Sequence, residues 1–163
     1  MVTARVETEL APTDDTGLVR RALLKLFPDS ELPDADSGDV FPTSMSTSVL
    51  CASDVELTRL QERLHEQRIC DTALDAMAFA LDADGRSTCF SISRQAALAG
   101  KVAFVLPGER VLGGTFEVSI SGEGLAEWIE QFTWHQGRGS VPRHVDDEVA
   151  MRSDGEVREW FDG

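Results

Sequence analysis

Three stretches of this chain alternate apolar and polar side chains with a period of two, the pattern of a strand with one dry face and one wet face. Residues 2–10 set Val2, Ala4, Val6 and Leu10 against Thr3, Arg5, Glu7 and Glu9. Residues 87–93 turn Phe90 and Ile92 inward, and Phe116, Val118 and Ile120 alternate with Glu117, Ser119 and Ser121. Two further apolar runs, 45–52 and 102–106, are predicted strands. Between the strands the period changes to that of helices. Asp14 and Asp15 open a helix whose buried stripe is Leu18, Val19, Ala22, Leu23 and Leu26. Ser53 and Glu56 have capping-box spacing before a helical pattern that runs from Leu57 to Leu81 with room for a kink. Arg94–Gly100 predicts a short helix stopped by glycine, and Leu125–Phe132 a closing one. Half-buried strands alternating with amphipathic helices define an α+β domain.

The chain has 163 residues, enough for one core. Periodicity places a single domain over 1–134, with a proline-rich acidic loop inside it at 28–44. From 135 the pattern fades, so 135–163 is predicted to be an acidic, flexible tail, with Trp160-Phe161 as a candidate docking segment. The chain carries 29 acids against 15 bases, a net charge of −14. That excludes a globally basic surface for nucleic acid and disfavours an anionic membrane surface. Only Lys25 and Lys101 are lysines. Many carboxylates with so few lysines point to adaptation to high salt, where a short Debye length screens their repulsion. Cys51, Cys70 and Cys89 are odd in number and widely spaced, which fits neither a disulfide framework nor a zinc site. Each sits in an apolar stretch, so buried reduced thiols and a cytoplasmic location are expected. No apolar run reaches transmembrane length, and the first residues have no signal-peptide core.

Several stretches, in order along the chain, carry a resemblance. They are Pro12-Thr13-Asp14, Phe27-Pro28, Gln67-Arg68-Ile69-Cys70-Asp71-Thr72-Ala73, Phe90-x-Ile92-x-Arg94-Gln95-Ala96-Ala97, Gly100-Lys101-Val102-x-Phe104 and Leu112-Gly113. Together they resemble an archaeal family of uncharacterised proteins described as predicted exosome-associated RNA-binding proteins. The resemblance covers roughly residues 2–134. It implies a two-layer α+β sandwich: a mostly antiparallel sheet of about five strands, helices on one face, similar to the fifth large-subunit ribosomal protein. The strand and helix reading agrees with this. The chain departs from the family at Ser93, Arg94 and Leu74, where asparagine, lysine and a base are usual; Leu74 removes one possible phosphate contact.

Residues 85–108 contain no acid at all, and their bases are Arg86, Arg94 and Lys101. Arg94 and Gln95 fall at a predicted helix start, where free amides favour an anion, and Lys101 follows the same helix. These four residues and Arg68, from the most characteristic family stretch, are the candidate RNA phosphate contacts. The bland alternative is a buried strand region that lacks acids for that reason alone. Arg59 and Arg63 precede Glu62 and Glu66 by three positions, so local ion pairs account for them; Arg68 and Asp71 have the same spacing. No catalytic constellation, metal-ligand spacing or cofactor motif emerges. His65 and Cys70 are near each other on a helix, but an apolar stripe marks Cys70 as core. The reading is a non-enzymatic module associated with structured RNA or with an RNA-processing complex, without membrane contact or cofactor. A protein-interaction subunit is the alternative, and a small-molecule enzyme a distant third.

Overall fold

The structure is a computed structural model, described here for residues 1–33 and 48–147. β1 (Thr3–Leu10) pairs with β2 (Ser48–Ser53) on one side and with β5 (Thr115–Ser121) on the other. β3 (Ser87–Ser93) joins β5 to the two-residue β4 (Phe104–Val105), giving an antiparallel sheet in the order β2-β1-β5-β3-β4. Period-two alternation does what it predicts. Ala4, Val6, Leu50, Ala52, Phe90, Ile92, Phe116, Val118 and Ile120 all turn to one side and are buried. Against them pack α1 (Thr16–Leu26), α2 (Thr58–Glu66), α3 (Cys70–Phe79), α4 (Arg94–Leu98) and α5 (Leu125–Phe132). The fold is therefore α+β, an open five-stranded antiparallel sheet with five helices.

Local chemistry sets the helix boundaries, not always as the sequence suggests. Asp15 caps α1 by accepting from the Leu18 amide, and Ser93 caps α4 through the Ala96 amide. The Ser53/Glu56 capping box does not form: Ser53 ends β2, and α2 begins at Thr58 without a side-chain cap. The long helical pattern is two helices. Arg68 breaks it with φ +58, a left-handed conformation that side chains other than glycine rarely adopt. Leu18, predicted to be buried, is 41% exposed. The early part of the 45–52 strand reading and most of the 28–44 loop lie outside the described residues.

The chain from 135 to 147 differs from a free tail. A short 3-10 turn (Gln136–Gly139) follows α5, and both Arg138 and Arg143 are buried. Arg138 donates to Asp71 on α3, the Thr133 hydroxyl and the Glu130 carbonyl. Arg143 joins Asp75 on α3 to Asp147. Ion pairs hold this strap down, and ion pairs leave no periodicity in a sequence. Residues 148–163 lie outside the described part.

The outer face of the sheet carries Arg5, Glu7, Glu9, Cys51, Cys89, Ser91, Glu117 and Ser119. Glu7 stands directly opposite Glu117, a like-charge cross-strand pair that opposes folding and that salt screens. Raising KCl from 0.1 to 2 M should raise the melting temperature by about 2–4 °C, the equivalent of roughly 1 kcal/mol. A calorimetric scan that shows no change, or a fall, would contradict this.

Candidate nucleic-acid interface

Arg94, the first candidate, lies in the interior. It is 7% exposed, and every nitrogen of its guanidinium is occupied. Nε donates to the Gly113 carbonyl. Nη1 reaches the Thr8 hydroxyl at 3.2 Å and the Glu9 carbonyl at 3.0 Å, and Nη2 reaches Asp14 Oδ2 at 3.2 Å. Its own amide donates to the Gly114 carbonyl. The chain passes so close that a Cβ on Gly114, at φ +78, would stand 2.7 Å from Nη2; only glycine fits there. Arg94 thus ties the end of β1, the turn before α1 and the loop before β5 to the start of α4. A guanidinium buried and paired in this way is not presented to a phosphate, and the assignment of Arg94 as an RNA contact is corrected on that ground.

The remaining candidates are exposed, and only some of them come together. The Gln67 side chain brackets Val102: its amide nitrogen donates to the Val102 carbonyl at 2.8 Å, and its oxygen accepts the Val102 amide at 2.7 Å. That clamp sets Arg68 and Lys101, the sequence neighbours of Gln67 and Val102, at one joint. Neither has an ion pair among the described residues. Asp71, which the spacing offered to Arg68, bonds instead to His135 and Arg138. Gln95 is exposed on α4. Arg86 lies at the other end of β3, about 26 Å from the start of α4 at strand rise, with Glu123 at 3.8 Å. It does not belong to the same patch.

Sequence reasoning placed α1 but missed its bases as candidates. Arg20, Arg21 and Lys25 lie on it, the helix contains no acid, and none of the three has an ion pair among the described residues. α1 packs on α4, and the Lys101 amide bonds back to Ala96 of α4, so α1 and Lys101 lie on neighbouring elements. The signal was legible: residues 16–28 hold three bases and no acid in a chain with 29 acids. The cysteine reading also changes. Cys70 is buried, and burial pushes its thiol pKa up. Cys89 is exposed and Cys51 half-buried on the outer face, where Cys51 accepts from Arg5 Nε. All three are free. Arg59–Glu62 and Arg63–Glu66 are ion pairs, as their spacing indicates. Among the described residues no cluster of His, Cys, Asp and Glu could hold a metal. No described helix is long and apolar enough to cross a membrane.

A one-sided antiparallel sheet backed by five helices, with buried arginine locks and an acidic outer face, defines a small α+β domain class. Solved structures share it. A UPF0201 protein from Methanococcus jannaschii superposes with a TM-score of 0.65 over 83% of this chain and 96% of that one, at 21% identity. A second UPF0201 structure gives 0.64 over 89% and 97%, at 18%. No family model matches the chain. Curated relatives do. The UPF0201 protein of Thermococcus onnurineus is 35% identical over 99 residues, 61% of this chain and 69% of the relative. That of Methanopyrus kandleri is 34% identical over 112 residues, 65% and 67%. The chain belongs to the UPF0201 family, a family whose name carries no activity.

Two predictions follow from the locks. Arg94→Met strands Asp14 and two carbonyls, and should lower the unfolding free energy in urea by about 2–4 kcal/mol; a loss below 0.5 kcal/mol would contradict the lock. At Asp71, burial opposes ionisation, but hydrogen bonds and charge from His135 and Arg138 outweigh it and hold the carboxyl below its usual range. A depressed folded pKa stabilises above the unfolded value and loses that contribution as pH falls through the folded one. Asp71→Asn should therefore cost about 1–2 kcal/mol at pH 7, discounted for the partly exposed carboxylate. In urea melts the gap to wild type should narrow as pH falls below the ordinary carboxyl value of about 3.9 and close once Asp71 is protonated in the folded state as well.

Proposed function

We propose that the chain is a non-enzymatic, RNA-associated module that meets the phosphate backbone of structured RNA on its helix side, along α1 and the α4 end, and works beside an RNA-processing complex. The observation that carries this is the set of unpaired bases. Of the bases in the described residues, Arg20, Arg21, Lys25, Arg68, Lys101 and Arg110 have no ion pair there, and the first three share one acid-free helix. Elsewhere the acid excess pairs Arg5, Arg59, Arg63, Arg86, Arg94, Arg138 and Arg143. Bases without partners in so acidic a chain give a local positive face, and phosphates are recognised by such faces without base reading. The outer sheet face, with Glu7, Glu9 and Glu117, repels RNA. One feature favours a second reading, a protein partner: Leu18 and Leu24 are exposed between the bases of α1.

The test is fluorescence anisotropy of a hairpin RNA in a KCl series. The triple variant R20E/R21E/K25E should weaken binding and reduce the slope of log K against log salt by about 2–3, roughly one per lost phosphate contact. Arg86→Ala should leave both unchanged. Equal affinity and slope for wild type and triple variant would overturn the RNA reading.

A further inference from the structure

β4 is only two residues long, and its early end leaves a gap in the sheet. The ladder bonds fix which way the β3 backbone points. Arg94 donates to the Gly114 carbonyl and Gly122 donates to the Arg86 carbonyl, so even-numbered residues turn their amides toward β5. Ser93 donates to the Ala103 carbonyl, so odd-numbered residues turn toward β4. Ser91 then pairs with Val105. At the other end Ser87 is satisfied by Asp82, whose amide donates to the Ser87 carbonyl while its carboxylate accepts the Ser87 amide. Cys89 alone remains. The residue that would face it is Pro107, which has no N–H, and Leu106 turns its amide to Glu109. The N–H and C=O of Cys89 therefore lack a ladder partner among the described residues.

A cavity of about 140 Å³ opens beside this gap. Phe79 and Ala76 of α3, Phe90 of β3, and Phe104, Leu106 and Pro107 make its apolar walls. Its size suits one aromatic ring. One unpaired donor, one unpaired acceptor and a ring-sized apolar hole on the helix side are what two adjoining residues of an extended peptide fill: one bonds to the Cys89 backbone with its side chain outward, and its neighbour turns a ring into the hole.

We infer that this site takes an aromatic residue of the chain's own C-terminal segment, 148–163, from the Trp160-Phe161 pair, with the backbone of the adjoining residue bonded to Cys89. The described chain ends beside the cavity: Arg143 bridges Asp147 to Asp75, and Asp75 lines the wall. Thirteen residues from Asp147 to Trp160 span up to about 43 Å when extended, so reach is no obstacle. Tethering gives such a segment a millimolar effective concentration, above that of a free partner peptide.

Amide hydrogen exchange of the full chain, read residue by residue by NMR, tests this. In wild type the Cys89 amide should exchange slowly. In the double variant W160A/F161A it should exchange at least about tenfold faster, while the Phe90 amide, bonded to β5, stays unchanged. Fast Cys89 exchange in both proteins would show that nothing docks. Slow exchange in both would show that something other than these aromatics, a second copy included, covers the edge. Either result overturns the proposal.

Discussion

The Arg94 guanidinium is the contact on which the arrangement of this domain depends. Packing alone brings helices against a sheet but leaves their ends free to slide. Here one buried cation at the start of α4 bonds to β1, to the turn before α1 and to the glycine loop before β5. All of these meet at one end of the sheet. A buried charge is tolerable only when it is paired and hydrogen-bonded, so the four segments must meet in one geometry. Gly113 and Gly114 are the backbone expression of that demand, since a side chain on Gly114 would collide with the guanidinium.

Much of the family resemblance turns out to be one stretch bonding to another. Pro12-Thr13-Asp14 supplies the Arg94 counter-ion, and Leu112-Gly113 supplies a carbonyl to the same group. The stretch that begins at Gln67 clamps the stretch that contains Val102, and its Asp71 anchors the strap after α5. These residues account for themselves inside the fold. Arg68 and Lys101 do not: they stand exposed at the Gln67–Val102 clamp, and Arg68 holds a backbone conformation that glycine would adopt more easily. Together with α1 they direct attention to the helix side of the molecule and away from the acidic sheet face.

Strands and helices were legible because one-sided burial writes its period into the sequence. β3 and α5 fall at the residues the alternation indicates, and Ser93 and Asp15 cap their helices. What the sequence concealed was long-range. Whether Arg94 faces solvent depends on Asp14, eighty residues earlier, and no local pattern reports that distance. The same holds for the strap: Arg138 and Arg143 find their acids on α3, so their stretch reads as a loop. The α1 bases were visible as an acid-free run but are spaced like an ordinary solvated helix face. Only their lack of ion pairs among the described residues sets them apart.

The central claim is that Arg94 works within the fold through Asp14 and not at the surface. A double-mutant cycle on folding free energy, with Arg94→Met, Asp14→Asn and the pair, measures that link directly. The account predicts a coupling of about 1–3 kcal/mol. Additive losses, with coupling near zero, would contradict it and return Arg94 to the solvent.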